Sequence, residues 1–200
     1  MVSAQCTYPL GHPERRSGRG AGYTPSMTSQ QVRIVQASTP QQLDDARTLL
    51  GEYASSLGWD LTSGWIAEEL AALPGHYAPP AGSLMVAYLG GDPAGVLGLQ
   101  PVPQNARFEH MDVTRSGELK RLFVRPDHRR SGVGRALMLR AEDEARERGY
   151  NALLLTTNAE MMPLAQPLYD SLGYVETAPY RSDMVWPDIR WMRKDLAPAA

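Results

Sequence analysis

The sequence predicts a mixed α/β chain: a mostly antiparallel sheet holding one parallel strand pair, with helices on its faces. Three observations predict it. QVRIVQA alternates apolar and polar residues, as a half-buried strand does. GSLMVAYL and AGVLGLQPV flank the turn Gly90-Gly91-Asp92-Pro93, the pattern of a β-hairpin. GELKRLFV, GVGRALMLRAEDEARERG and ALLLTT follow one another as strand, helix and strand between 117 and 157. That is a βαβ unit, whose strands run parallel and whose crossover is right-handed.

The elements are justified in chain order. Residues 1–28 hold Gly, Pro, Ser and Arg with almost no large apolar side chains, and read as a flexible extension; the folded domain is expected over 29–197. After the first strand, Thr39 is placed to cap a helix. Pro40 fits its first position, and Gln42 completes a capping box. Leu43, Ala46, Leu49, Leu50, Tyr53, Ala54 and Leu57 share one face of that helix, and Gly58 closes it. A shorter helix is expected from Ser63 to Leu73, stopped by Pro74-Gly75. The hairpin comes next, then a polar connection over 103–116. In the helix opened by GVGRAL, Val133, Ala136, Leu137, Ala141 and Ala145 make the buried stripe. Glu142–Arg146 and Glu144–Arg148 are expected as i,i+4 pairs on its wet side. ALLLTT is a continuous apolar run, as in a central strand covered on both faces. A short helix near Leu164–Leu172 and two strands, YVETAPY and IRWMRKDL, end the domain.

Composition excludes several classes. The chain has 200 residues, 42% of them hydrophobic, which suits one sizeable core. A net charge of −2 argues against nucleic acid. The single cysteine, Cys6, excludes an internal disulfide framework. The four histidines show no metal-ligand spacing, so no metal is expected. No apolar run is long enough to span a membrane and no secretory leader is visible, so the expected location is cytoplasmic.

Charge is uneven, however. Residues 120–135 hold six of the 20 lysines and arginines and one acid, Asp127. Within them RRSGVGRA joins arginines to Gly132 and Gly134 where a helix begins. A helix N-terminus offers unpaired amides and partial positive charge, and glycine lets a ligand approach them closely. The stretch therefore reads as a phosphate cradle. It lacks the Walker spacing GxxxxGK[ST]. It is not a full GxGxxG either, since Leu137 stands at the third glycine position.

The R-x-x-G-x-G of Arg129–Gly134, following ELKRLFVRP, resembles the acyl-CoA signature of the GNAT-type N-acetyltransferase superfamily. AQPLYDSLGY (165–174) resembles that family's second signature, A-x-x-L-Y-x-x-x-G-[FY], and the element order matches from about 31 to 197. The resemblance implies a sheet in which the fourth and fifth strands, parallel neighbours, splay apart. It implies acetyl-CoA as co-substrate and direct transfer of acetyl to a primary amine. The pyrophosphate would sit on the loop of Arg129, Arg130, Ser131, Gly132, Val133, Gly134 and Arg135. The pantetheine arm would pair with backbone at Leu122, Phe123 and Val124. Asn158 is a further partner for the arm, with loop capping as its other reading.

Acyl transfer to an amine needs a base for the ammonium proton and donors for the oxyanion and the leaving sulfur. Glu118, six residues before Val124 and so on the same face of a regular strand, matches the position of a catalytic glutamate in the histone-acetyltransferase branch. Its other reading is a strand-end acid paired with Lys120 or Arg121. Tyr169 matches the tyrosine that protonates the departing thiolate; helical geometry turns it away from the face of Leu168 and Leu172. Pro167, two residues earlier, is tolerated only in a first helical turn.

The acceptor, a small-molecule or peptide amine, is expected between the first two helices and the last hairpin. Trp59, Asp60 and Trp65 lie on one side, and Tyr180, Asp183 and Trp186 on the other. An acid there could hold an ammonium and a tryptophan could cover it. A homodimer is compatible with this reading. Two alternatives stand beside it: a catalytically silent acyl-CoA-binding sensor, and another nucleotide-phosphate site.

Overall fold

The computed structural model describes residues 31–102, 113–180 and 188–197. The expected extension over 1–28 with its Cys6, and the acceptor candidates Asp183 and Trp186, lie outside the described residues.

In chain order the elements are β1 (Arg33–Gln36), α1 (Pro40–Ser56), α2 (Gly64–Ala71), β2 (Ser83–Leu89), β3 (Asp92–Pro101) and β4 (Ser116–Val124). They continue with α3 (Val133–Glu147), β5 (Ala152–Asn158), α4 (Ala165–Ser171), β6 (Val175–Glu176) and β7 (Ile189–Asp195). The strands form one sheet in the order β1-β2-β3-β4-β5-β7-β6, parallel at β4–β5 and antiparallel at every other step. This is the mixed sheet expected. No helix among the described residues is long and apolar enough to cross a membrane.

Alternation along the strands divides the core in two. Met85, Leu97, Leu119, Leu153 and Leu155 point toward Leu137, Met138 and Ala141 of α3. Leu84, Val86, Val96 and Phe123 point the other way, toward Leu49, Leu50 and Tyr53 of α1. Leu154, between two residues of the α3 side, packs with Tyr180 and Trp191 in a third cluster. Both faces of β5 are thus covered, which is why ALLLTT is apolar without a break.

Local signals explain most boundaries. The box that starts α1 is formed: Thr39 Oγ1 accepts from the Gln42 amide, and Gln42 Oε1 accepts from the Thr39 amide at 3.2 Å. The β2–β3 turn is tighter than expected. Gly90 and Gly91 alone make it, both at positive φ, while Asp92 and Pro93 already pair in β3. Two successive positive-φ residues match the twist of the flanking strands. Pro93 sits where the register shifts, so its missing N–H interrupts no regular ladder.

Two expectations change. YVETAPY yields only the exposed two-residue β6, an edge strand held, among the described residues, by β7. Glu142 and Glu144 are not on a wet face; both are buried. Lys194 of β7 bonds both Glu142 oxygens at 2.7 Å, and Arg140 and Arg148 close over Glu144 at 2.6 and 2.5 Å. The carboxylates of α3 therefore tie it to the sheet and to its own last turn.

Candidate cofactor groove and active site

β4 and β5 pair from Ser116↔Ala152 to Leu119↔Leu155 and then part. Beyond that point β4 keeps its partner β3 as far as Val124↔Gly95, and β5 keeps β7 as far as Asn158↔Ile189. The cause lies in β4. Lys120 faces Gly98 and Phe123 faces Val96, so Arg121 and Leu122 together oppose one residue, Leu97. Arg121 takes φ 63°, a left-handed conformation for a side-chain-bearing residue. Such a bulge bends its strand and increases local twist.

Packing holds the bulge. The Arg121 guanidinium donates to both Glu69 oxygens, at 3.0 and 2.7 Å, and lies 4.8 Å from the Trp65 ring centre and 5.5 Å from that of Trp59. Tyr77 donates to the same Glu69 at 2.6 Å. The Tyr77 ring covers Gly98, where an added Cβ would come within 2.4 Å of it, so only glycine fits at the pair next to the bulge.

The parted strands enclose a cavity of about 200 Å³ that passes through the sheet. On the α3 side Leu119, Leu122, Met138, Leu155 and Tyr169 line it; on the α1 side Tyr53, Leu57 and Trp59 do. On the edge facing β5, β4 has no strand partner among the described residues from Leu122 to Val124, so an extended chain can add there by backbone hydrogen bonds.

At the end of β4 the chain turns into α3. Arg130 and Gly132 are left-handed, at φ 64° and 88°, and no side chain among the described residues caps the helix. Its first ladder bond runs from the Ala136 amide to the Gly132 carbonyl, so the amides of Val133, Gly134 and Arg135 precede the ladder. Gly132 is required by its φ. Gly134 is not: a Cβ there would meet Leu168 and Val124 at an ordinary 3.4–3.5 Å, and its φ is normal. Three cations of the basic cluster serve the fold: Lys120 faces Glu118, Arg121 Glu69 and Arg125 Glu52. Arg129, Arg130 and Arg135 stay exposed around the helix start.

Glu118 is fully buried. Gln100 donates to its Oε2 at 2.9 Å, Tyr180 donates to its Oε1 at 3.2 Å, and Lys120 Nζ lies 3.6 Å away. The expected common face with Val124 is not found. The bulge at Arg121 inverts the alternation, so Val124 packs with the α3-side core, while Glu118 shares the opposite face with Leu154 and Tyr180. Its neighbours Leu119 and Lys120 line the cavity; the Glu118 carboxylate is turned into the wall behind them.

Tyr169 does line the cavity, but it does not turn away from the core. It is buried in one cluster with Leu172 and lies 6.0 Å from the Tyr174 ring. Burial, with Tyr53 adding to it, pushes its hydroxyl far above the usual phenol range, so it stays a neutral donor. Pro167 is the third residue of α4, inside the first turn, and leaves the helix intact. Asn158 borders the cavity and caps the loop after β5: its Oδ1 accepts from the Glu160 and Met161 amides at 3.0 and 2.9 Å.

Of the acceptor residues, Trp59 lines the cavity and stacks edge-on with Trp65 at 4.9 Å. Asp60 is committed to its own turn. Ser63, then Thr62, donate to it and bring its carboxyl down to about 2. Tyr180 is buried on Glu118. Sequence reasoning missed Tyr53 and Leu57, read only as a helix's buried face, and Met162, which receives the Tyr53 hydroxyl at 3.7 Å. It counted Arg121 in the basic cluster and as a partner for Glu118, because nothing local marks a bulge at an arginine.

Comparisons with known proteins fit this geometry. The model of the Acetyltransferase (GNAT) family matches residues 47–174. An uncharacterized N-acetyltransferase of Schizosaccharomyces pombe is 30% identical over 172 residues, covering 86% of this chain and 99% of that protein. A GNAT-family acetyltransferase structure from Staphylococcus aureus Mu50 superposes with a TM-score of 0.65 at 16% identity, over 84% of this chain and 100% of that one. A structure from Salmonella typhimurium with its cofactor acetyl-CoA gives 0.63 at 20% identity, over 84% and 96%. At such identities the structural likeness speaks for the fold.

Proposed function

Since this chain belongs to the GNAT acetyltransferase family, we propose that it transfers acetyl from acetyl-CoA directly to a primary amine of a small molecule or peptide. The observation that carries this reading is the parting of β4 and β5 beyond Leu119↔Leu155, which opens a backbone edge beside a helix start bearing Gly132 and Gly134. When bound, acetyl-CoA supplies the thioester acetyl group. The amides of Val133, Gly134 and Arg135 and the guanidinium groups of Arg129, Arg130 and Arg135 hold its phosphates; Ser131 bonds the His128 carbonyl at 2.5 Å and keeps the loop in shape. Backbone of Leu122, Phe123 and Val124 takes the arm as an added strand, with Asn158 across the gap. Tyr169, neutral and aimed at the cavity, gives a proton to the departing sulfur. Glu118 receives the ammonium proton through a relay, since its carboxylate stands one layer behind the wall.

That recessed carboxylate also favours a second reading, a sensor that binds acyl-CoA without turnover. One set of measurements separates the two. Acetyl-CoA is titrated calorimetrically with ATP and NAD as controls, and free thiol is followed over a panel of amines. Selective acetyl-CoA binding with amine-dependent thiol release is expected. The Glu118→Gln variant should keep the affinity for acetyl-CoA and lose about 100-fold in turnover, the low end for removal of a general base. Unchanged turnover would remove Glu118 from the mechanism, and binding without release on any amine would favour the sensor.

A further inference from the structure

The α1 side of the cavity has a composition that specifies the acceptor more closely, granted the transferase reading above. Its wall is aromatic and thioether. Tyr53 meets Trp59 edge-on at 5.5 Å, Trp59 meets Trp65 at 4.9 Å, and the Tyr53 hydroxyl bonds the Met162 sulfur. The acids around this wall are engaged by the protein's own donors. Asp60 accepts from Thr62 and Ser63, Glu69 from Arg121 and Tyr77, and Glu118 from Gln100 and Tyr180. The cations Lys120 and Arg121 both line the cavity. The cation on the tryptophan rings is Arg121 itself, so the expectation that these rings cover a substrate ammonium changes: that position is filled from within the fold.

We infer that the acceptor is a primary amine whose body is aromatic or bulky and apolar. The ring packs against Tyr53, Leu57, Trp59 and Met162, and the amine points toward the gap between β4 and β5. A diamine, polyamine or aminoglycoside would set strongly hydrated groups against this apolar wall and lose their solvation there. In the transfer, the amine nitrogen bonds to the acetyl carbon as the carbon–sulfur bond breaks. The ammonium loses two protons: one passes by way of Glu118 to solvent, and the other restores the proton that Tyr169 gives to the leaving sulfur, giving amide and CoA thiol.

The test uses the full chain saturated with CoA. 2-Phenylethylamine and cadaverine are titrated by calorimetry and by tryptophan fluorescence, and both are assayed for thiol release with acetyl-CoA. The aromatic amine is expected to bind and react with a preference of about tenfold or more, roughly what burial of one ring confers over a solvated chain. Trp59→Ala should raise KM for 2-phenylethylamine about tenfold with acetyl-CoA affinity unchanged, and Trp59→Phe should restore most of it. Preference for cadaverine, or no binding and no thiol release with 2-phenylethylamine, overturns the acceptor assignment while acetyl-CoA binding stands. Loss of acetyl-CoA binding itself overturns the cofactor reading, and the acceptor assignment with it.

Discussion

At Arg121 a left-handed backbone lies beneath a guanidinium that is bonded twice to Glu69 and stacked on two indoles. Removing one partner of a buried pair leaves the other charge uncompensated, at about 3–5 kcal/mol when the pair is dry. Glu69 and Arg121 keep 17% and 11% of their side-chain surface, so Glu69→Gln should cost about 3 kcal/mol, the lower end of that range. The loss should depend on pH. Burial pushes the Glu69 carboxyl up, but hydrogen bonds and charge from Arg121, with help from Tyr77 and Lys120, bring it below its ordinary value. A carboxyl depressed in the folded state stabilises fully above its unfolded value and loses that contribution as pH falls through the folded one. Denaturant melts of wild type and Glu69→Gln should therefore differ most at neutral pH and converge below roughly pH 4, where a free glutamate titrates. A gap that does not change with pH would detach Glu69's charge from the stability of the bulge. Residues of this kind were hard to read in sequence. Glu118 stood out as an acid near a strand start, but its face depends on whether one extra residue enters β4, and that is decided by Glu69, Tyr77 and Trp65 from elsewhere in the chain.

The start of α3 was legible because its signals are local: glycine at the left-handed cap, a second glycine two residues on, arginines close to both. The α1 cap was legible for the same reason, since Thr39 and Gln42 need only each other. β6 was not, because an edge strand lasts only as long as its neighbour pairs with it, and pairing with β7 is set by the tertiary fold. The two glycines of α3 now predict different losses. At Gly132 an added Cβ meets nothing within 4 Å, so Gly132→Ala should cost only the left-handed backbone penalty, about 1–2 kcal/mol, as a lower unfolding midpoint. At Gly134 the φ is normal and a Cβ fits, so Gly134→Asp should fold with little loss yet weaken acetyl-CoA binding at least about 100-fold. Its carboxylate would stand among the amides and face the ligand's phosphates. Calorimetry on the two variants checks both halves; equal acetyl-CoA affinity in Gly134→Asp and wild type would remove the cradle from the site.

For the whole molecule, the parted sheet has an energetic consequence. Among the described residues, the β1–β4 half and the β5–β7 half are joined edge to edge by four residue pairs, Ser116↔Ala152 to Leu119↔Leu155, with α3 spanning between them. A ligand that adds hydrogen bonds along the open edge of β4 and also seats on α3 binds only where both are in place, so it binds the folded state alone. Mass action then stabilises the fold by about 2.7 kcal/mol at a ligand concentration 100 times Kd. For a domain of this size each kcal/mol raises Tm by about 2–4 °C, so saturating acetyl-CoA should raise it by roughly 5–10 °C. ATP and NAD at the same concentration share the phosphate chemistry but lack the pantetheine arm, and should give a small part of that shift. Gly134→Asp, whose own Tm should stay near wild type, should give almost none with acetyl-CoA. Thermal melts across these four conditions decide between a site made of the helix start alone and one made of the helix start together with the split sheet. Equal shifts with ATP and acetyl-CoA would confine the binding energy to the phosphates and leave the parting of β4 and β5 without a role in it.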